Sequence, residues 1–108
     1  MNRPKEYTVQ QVSEMLASPS PPRLVDVREP AEYELVHLEG GQLLTEALVD
    51  EILNQWPKDT FIVCYCHHGM RSLNAAMFFA SKGFSNIGSM RGGIDSWARE
   101  IDPSLPLY

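Results

Sequence analysis

Hydrophobic residues in this 108-residue chain fall into short continuous runs and into stretches with helical spacing. The most continuous run, residues 60–65, is typical of a strand buried on both faces of a parallel sheet. Shorter apolar runs predict further strands at 24–27, 42–44 and 86–90. Glycine and proline residues punctuate the chain between these runs and the stretches with helical spacing.

Five segments carry the apolar spacing or the end signals of helices. The first begins after Thr8, which forms a predicted capping box with Gln11. Its apolar residues recur every three to four positions from Val9 to Leu16. The other helices are predicted at 31–34 with Pro30 in the first turn, at 46–56, at 71–83 with Gly83 at the stop, and at 94–99.

Strands that alternate with helices predict an α/β fold, in which helices flank one central, mainly parallel sheet. The length is near the commonest size of a domain, and no repeat or low-complexity stretch divides the chain. We therefore expect residues 1–108 to form a single domain. Ligands of parallel sheets bind beyond the carboxyl ends of the strands, which directs attention to the residue that follows the 60–65 run.

Charge and cysteine content narrow the range of partners. Nine basic residues are scattered among 14 acidic ones, and the net charge is −5, so we expect no nucleic-acid partner. No stretch approaches the roughly 20 apolar residues of a membrane span, and residues 1–6 lack the apolar core of a signal peptide. Cys64 and Cys66 are poor disulfide partners because the segment between them is short and extended. These features predict a cytoplasmic protein with no membrane partner.

Cys66 stands at the junction between the predicted strand at 60–65 and the predicted helix at 71–83. A side chain at a helix N-terminus is close to unpaired N–H groups and to the positive end of the helix dipole. Both favour the thiolate, the nucleophilic form of cysteine, over the thiol. The alternative is a buried structural thiol, because free cysteine is among the most buried residue types. For Cys64, inside the strand, we prefer that structural interpretation.

Four short motifs follow one another along the chain. They are LVDVRE at 24–29, HLEG at 37–40, CxxGxRS at 66–72 and RGGIxxW at 91–97. In this order and spacing they resemble the single-domain rhodanese family of sulfurtransferases, and the resemblance covers nearly the whole chain. It implies a rhodanese-like three-layer fold. The ending at 101–108 also resembles rhodanese modules attached to enzymes that activate sulfur-carrier proteins.

The resemblance implies a two-step sulfur transfer through Cys66. The thiolate would attack the outer sulfur of a small donor such as thiosulfate, sulfite would leave, and a persulfide would remain. Cyanide, a small thiol or the thiol of a protein partner, such as a sulfur carrier, would then collect the sulfur. This chemistry needs no cofactor.

The resemblance also assigns roles around the loop. Cys66 and Arg71 are predicted as catalytic, and backbone N–H groups of 67–71 would form an anion-binding nest whose tight turn Gly69 permits. Asp26 and Arg28 are predicted as structural support, Asp26 as the ion-pair partner of Arg71 and Arg28 in a local pair with Glu29. The predicted substrate-binding residues are His67, His68, Gly69, Met70 and Ser72.

Three alternatives stay open at this point. His67 and His68 could bind a metal together with the cysteines, although the spacing differs from that of structural zinc sites and we expect no metal. Otherwise they line the pocket mouth and favour an anionic donor when protonated, or are exposed loop residues.

A cysteine phosphatase is the rival enzyme, but its loop has one residue more than the four that separate Cys66 from Arg71. A regulatory rhodanese-like binding module is the rival without catalysis.

Overall fold

The computed structural model describes residues 3–108, which form one five-stranded sheet and five helices. The strands are β1 (Lys5–Tyr7), β2 (Arg23–Asp26), β3 (Gln42–Leu43), β4 (Ile62–Tyr65) and β5 (Ile87–Met90). They lie side by side in the order β1-β5-β4-β2-β3, and all neighbouring strands are parallel. The predicted α/β class with a central parallel sheet is therefore confirmed.

All five predicted helices are present, with ends that differ by one or a few residues. They are α1 (Val9–Leu16), α2 (Pro30–Leu35), α3 (Glu46–Gln55), α4 (Met70–Ser81) and α5 (Gly93–Glu100). The capping box before α1 is confirmed, because Thr8 and Gln11 each accept a hydrogen bond from the other's backbone N–H. Helix α4 begins one residue earlier than predicted, which makes Gly69 its N-cap.

Both faces of the sheet are covered by helices. Helices α3 and α4 contribute to the hydrophobic core on one face, and α1 and α5 contribute to the core on the other. The side chains of β4 alternate between them, so Ile62 and Cys64 belong to the first core and Val63 and Tyr65 to the second. All four are buried, which confirms the interpretation of the continuous apolar run.

Cys64 is a core residue, as its position inside the strand predicts. Its side chain is completely buried in the α3–α4 core. Burial, with a smaller contribution from nearby Cys66, raises the pKa of its thiol to about 12. At neutral pH Cys64 is therefore a neutral thiol.

The apolar pattern does not predict β1. This strand lies at the edge of the sheet and pairs only with β5, and two of its three residues are exposed. A strand covered on so little of its surface needs no apolar run. Met1 and Asn2, part of the segment at 1–6 considered for a signal peptide, lie outside the described residues. Within 3–108, no helix is long and apolar enough to span a membrane.

Candidate active site

Cys66 directly follows β4, the central strand of the sheet, and stands at its carboxyl end. Its side chain is 1% exposed. The backbone N–H of Gly69 donates to Cys66 Sγ at 3.0 Å, and the N–H of Ser72 donates to it at 3.3 Å. Two donors from the first turn of α4 and its N-cap thus converge on the sulfur, an arrangement that stabilises negative charge there.

Gly69 gives the loop its shape. Its backbone has φ +112° and ψ −12°, a left-handed conformation that residues with a side chain rarely adopt. This conformation turns the chain at the N-cap of α4 so that the N–H groups of Gly69 and Ser72 both face the sulfur. The tight turn therefore depends on glycine at this position.

The hydroxyl of Ser72 is a third polar group beside the sulfur. Cys66 Sγ lies 3.4 Å from Ser72 Oγ, which in turn donates to the carbonyl of Gly69 at 3.1 Å. Ser72 Oγ also lies 2.7 Å from Ser89 Oγ on β5. The sequence motifs do not include Ser89, although a serine inside an otherwise apolar strand segment is the signal that could have identified it.

Arg71 pairs with Glu32 on α2, and the predicted pairing with Asp26 is wrong. Arg71 Nη1 and Nη2 donate to the two carboxylate oxygens of Glu32 at 2.7 and 3.1 Å. The hydrogen bond from Arg71 lowers the pKa of Glu32 to about 2, and the same hydrogen bond raises the pKa of Arg71. Arg71 is about half exposed, so it lies at the rim of the loop.

Asp26 is unavailable to Arg71 because Arg28 occupies both of its oxygens. Arg28 Nε and Nη2 donate to Asp26 at 2.9 and 2.6 Å, and the N–H of Arg28 donates to Asp26 at 3.0 Å. Both side chains are buried. Burial alone lowers the pKa of Arg28, but hydrogen bonds with Asp26 and Tyr108 outweigh it and leave the pKa above its ordinary value. The predicted Arg28–Glu29 pair is therefore also wrong: Glu29 is the exposed N-cap of α2.

Tyr108 connects the two ion pairs, a role that the sequence does not reveal. Its hydroxyl accepts a hydrogen bond from Arg28 Nη1 at 2.7 Å and donates to Glu32 Oε2 at 2.8 Å. Its ring lies parallel to that of His67, with 4.0 Å between the ring centres. One side chain from the end of the chain therefore contacts the buried pair, the rim pair and the loop.

The two histidines lie side by side at the loop. The His67 ring stacks between Tyr108 and His68, and His68 is 63% exposed with its Nε2 3.9 Å from Asp95. One ligand atom from each of His67, His68 and Asp95 lies within 4.8 Å of the others, and neither cysteine belongs to this group. Met70 is 75% exposed and lies at the rim.

Helix α5 supports the 66–72 loop through backbone hydrogen bonds. The N–H of Ile94 donates to the carbonyl of Cys66 at 2.8 Å, and the N–H of Asp95 donates to that of His67 at 3.1 Å. Gly93, at φ +62°, packs against the same two carbonyl groups. A separate cavity of about 850 Å³ lies between α1 and the 37–42 segment, and no residue of the 66–72 loop lines it.

Comparison with known proteins agrees with this geometry. A family model described as a rhodanese-like domain matches residues 8–100. The probable adenylyltransferase/sulfurtransferase MoeZ of Mycobacterium tuberculosis is 38% identical over 87 residues, 79% of this chain and 22% of MoeZ. The thiosulfate sulfurtransferase GlpE of Pseudomonas fluorescens is 35% identical over 74 residues, 68% of each protein. The chain thus spans about a fifth of the length of MoeZ and about two thirds of GlpE.

Solved structures share the fold. A rhodanese-like domain protein from Staphylococcus aureus superposes with a TM-score of 0.77 at 22% identity, over 96% of this chain and 98% of that one. The single-domain sulfurtransferase RDL2 of Saccharomyces cerevisiae gives a TM-score of 0.76 at 24% identity, over 97% of each chain. Because the family model spans nearly the whole sequence and the cysteine loop stands at the end of the central strand, this chain belongs to the rhodanese-like domain family, with named sulfurtransferases among its homologues.

Proposed function

We propose that this protein transfers a sulfane sulfur from thiosulfate or a related donor to a thiophilic acceptor through a persulfide on Cys66. The observation that supports this most directly is the pair of backbone N–H groups, from Gly69 and Ser72, that converge on Cys66 Sγ. Such donors stabilise the thiolate before the reaction. Homology to named sulfurtransferases supports the same chemistry.

In the first half-reaction the Cys66 thiolate attacks the outer sulfur of thiosulfate. A new sulfur–sulfur bond forms, and the bond between the outer sulfur and the sulfonate sulfur breaks. Its electron pair leaves with sulfite, and Cys66 becomes a persulfide that keeps one negative charge. The N–H groups of the loop remain available to the charge on the outer sulfur.

In the second half-reaction an acceptor attacks the outer sulfur of the persulfide. The sulfur–sulfur bond breaks, its electron pair returns to Cys66, and the thiolate is regenerated. Cyanide would leave as thiocyanate, and a thiol acceptor would leave as a persulfide. MoeZ and uba4 are named as proteins with both adenylyltransferase and sulfurtransferase activity, which favours a protein thiol or sulfur carrier as one acceptor.

The remaining loop residues have supporting roles in this proposal. Arg71 restrains the loop through its two hydrogen bonds with Glu32 and adds positive charge at the rim. His67 and His68 line the mouth and attract an anionic donor when protonated, and Met70 forms part of the apolar rim. Asp26 and Arg28 fix the end of β2 beneath them. The reaction needs no cofactor or metal.

Mass spectrometry of the protein after incubation with thiosulfate tests the proposal. Wild type should gain one sulfur atom, a peptide map should place it on Cys66, and a reducing agent should remove it. Cys64→Ser is the matched control and should gain the same sulfur, whereas Cys66→Ser should gain none. Subsequent addition of cyanide should release thiocyanate. A folded wild-type protein that stays unmodified would instead favour a regulatory binding module.

A further inference from the structure

Two buried serine hydroxyls form a chain that begins at the sulfur of Cys66. Ser72 Oγ lies 3.4 Å from Cys66 Sγ and 2.7 Å from Ser89 Oγ. Ser72 on α4 is fully buried, and Ser89 on β5 is 1% exposed. Within residues 3–108, the Ser89 hydroxyl makes one hydrogen bond, and its partner is Ser72. The pair therefore lies inside the protein, with the Ser72 hydroxyl beside the sulfur and the Ser89 hydroxyl on the sheet.

The number of hydroxyl protons limits the hydrogen bonds that Ser72 and Ser89 can make. A hydroxyl has one proton and two lone pairs, so Ser72 cannot donate to Cys66 Sγ and to the carbonyl of Gly69 at the same time. When Cys66 is a thiol, its S–H donates to Ser72 Oγ, and the Ser72 proton is free for the carbonyl of Gly69 at 3.1 Å. A thiolate has no proton to donate, so Ser72 can turn its own proton towards the sulfur.

Ser89 is placed to support that second arrangement. Because Ser72 gives its single proton either to the carbonyl of Gly69 or to the sulfur, its contact with Ser89 requires the Ser89 hydroxyl to donate to Ser72 Oγ in both arrangements. Once Ser72 donates to the thiolate and its oxygen loses the S–H donor, Ser89 is the buried donor that remains on it. A hydrogen bond accepted by Ser72 also polarises its O–H and strengthens the bond that Ser72 donates to the charged sulfur. Since hydrogen bonds to a charged form favour that form, the two serines act together on the thiolate.

The charge moves twice in each cycle of the proposed sulfur transfer, on which this inference rests. It lies on Cys66 Sγ in the attacking thiolate and on the outer sulfur in the persulfide, where Sγ is a neutral sulfur bonded to carbon and sulfur. Rotation of the Ser72 O–H bond follows this movement while the Ser89 hydroxyl continues to donate to Ser72, and no proton is transferred. We propose that Ser89 is a positioning residue that acts through Ser72 to favour the Cys66 thiolate and to let the Ser72 hydroxyl turn between Cys66 and Gly69.

A double-mutant cycle with Ser72→Ala and Ser89→Ala tests this proposal. The quantity to measure is the ratio of thiolate to thiol at one fixed pH, from ultraviolet absorbance after subtraction of the spectrum of Cys66→Ser. Ser72→Ala should lower the ratio about tenfold, and Ser89→Ala about threefold, because bonds to charged groups are the strong ones. In the Ser72→Ala background, Ser89→Ala should have no further effect. Ser89→Thr retains the hydroxyl and should restore most of the ratio.

Ser81→Ala is the matched control, because Ser81 lies on the same helix and donates to the carbonyl three residues earlier, as Ser72 does. It should leave the ratio unchanged. Thermal unfolding of every variant separates packing losses, which would occur in both backgrounds, from the coupled effect. An equal loss of thiolate on Ser89→Ala in both backgrounds, or no loss when Ser72 is present, would overturn the role of Ser89. Failure of wild type to accept sulfur from thiosulfate would instead overturn the proposed function. The double-mutant cycle would still report the effect of Ser89 on the thiolate-to-thiol ratio.

Discussion

Gly93 packs directly against the carbonyl oxygen of Cys66. A methyl group on Gly93 would overlap the carbonyl oxygens of both Cys66 and His67. The next two N–H groups of α5 bind these same oxygens, at 2.8 Å for Cys66 and 3.1 Å for His67. The second glycine of the RGG motif thus lets α5 approach the 66–72 loop closely enough to fix its carbonyl groups.

Gly93→Ala should therefore slow sulfur transfer, although Gly93 lies outside the 66–72 loop. Two costs add: the left-handed backbone conformation at φ +62° and the overlap with backbone atoms that cannot rotate away. We expect a loss of stability of about 2–4 kcal/mol and a rate of persulfide formation lowered by about 100-fold, because the loop must shift by about 1 Å. Urea unfolding and the rate of thiosulfate loading measure the two effects.

Gly83→Ala is the control for that experiment. Gly83 has φ +98° but nothing within contact distance of an added methyl group. It should show the backbone cost without the loss of loading rate. Equal loading rates in Gly93→Ala and wild type would contradict the support role of α5.

The ion pair between Arg71 and Glu32 gives a second prediction. Arg71→Ala should lower the rate of persulfide formation by about tenfold or more, because the rim loses charge and the loop loses its connection to α2. Stability should fall by only about 0.5–1 kcal/mol, since the pair is partly exposed. Arg71→Lys should recover part of the rate, because an ammonium keeps the charge but cannot reproduce the two parallel hydrogen bonds. Stopped-flow loading with thiosulfate would measure the rates, and full activity of Arg71→Ala would contradict this role.

Acid should weaken the same pair in a defined range of pH. The pKa of Glu32 is about 2 in the folded protein against an ordinary value of 4.5, chiefly because Arg71 donates to its carboxylate. A lowered pKa means that the ionised form stabilises the fold above pH 4.5, and that this contribution is lost as the pH falls towards 2. The difference in unfolding free energy between wild type and Glu32→Gln should be constant near neutral pH and shrink over that interval. A difference that is independent of pH down to 2 would show that Glu32 has no such role.

Local sequence patterns were sufficient for the five helices, for four of the five strands and for the place of Cys66 in the fold. They were insufficient for β1 and for the choice of ionic partners. The run at 60–65 indicates a buried strand because an apolar sequence with no polar face must be covered on both sides. The position of Cys66 follows because the residue after such a strand lies at the ligand-binding edge of the sheet.

The ionic partners depend on distances that no local pattern contains. Asp26 lies at the end of a strand next to β4, yet Arg28, two residues further on, turns back and takes both of its oxygens. Glu32 is indistinguishable by sequence from other acidic residues until α2 packs near α4. Tyr108 is also far in sequence from its partners Arg28 and Glu32. It contacts them only because the tertiary fold brings them together.

We expect the size of the loop to favour sulfur transfer over phosphoryl transfer. Four residues lie between Cys66 and Arg71, and the resulting ring brings the N–H groups of Gly69 and Ser72 to 3.0 and 3.3 Å from the sulfur. Arg71 is turned outward to Glu32, so it does not close a wider cradle around a phosphoryl group. We therefore expect wild type to load sulfur from thiosulfate and to show no hydrolysis of an aryl phosphate.

One inserted glycine after Gly69 tests the dependence on loop size. The insertion should widen the ring and move the N–H donors away from the sulfur, and a displacement of about 1 Å can lower a rate by about 100-fold. Sulfur loading should fall by about that factor while the thiol of Cys66 remains present. An insertion of one glycine after Gly40, an exposed turn residue with open space around it, is the matched control and should leave loading near the wild-type rate. Both reactions should be measured on all three proteins. Efficient hydrolysis of the aryl phosphate by wild type, without a persulfide on Cys66, would overturn the assignment to sulfur transfer.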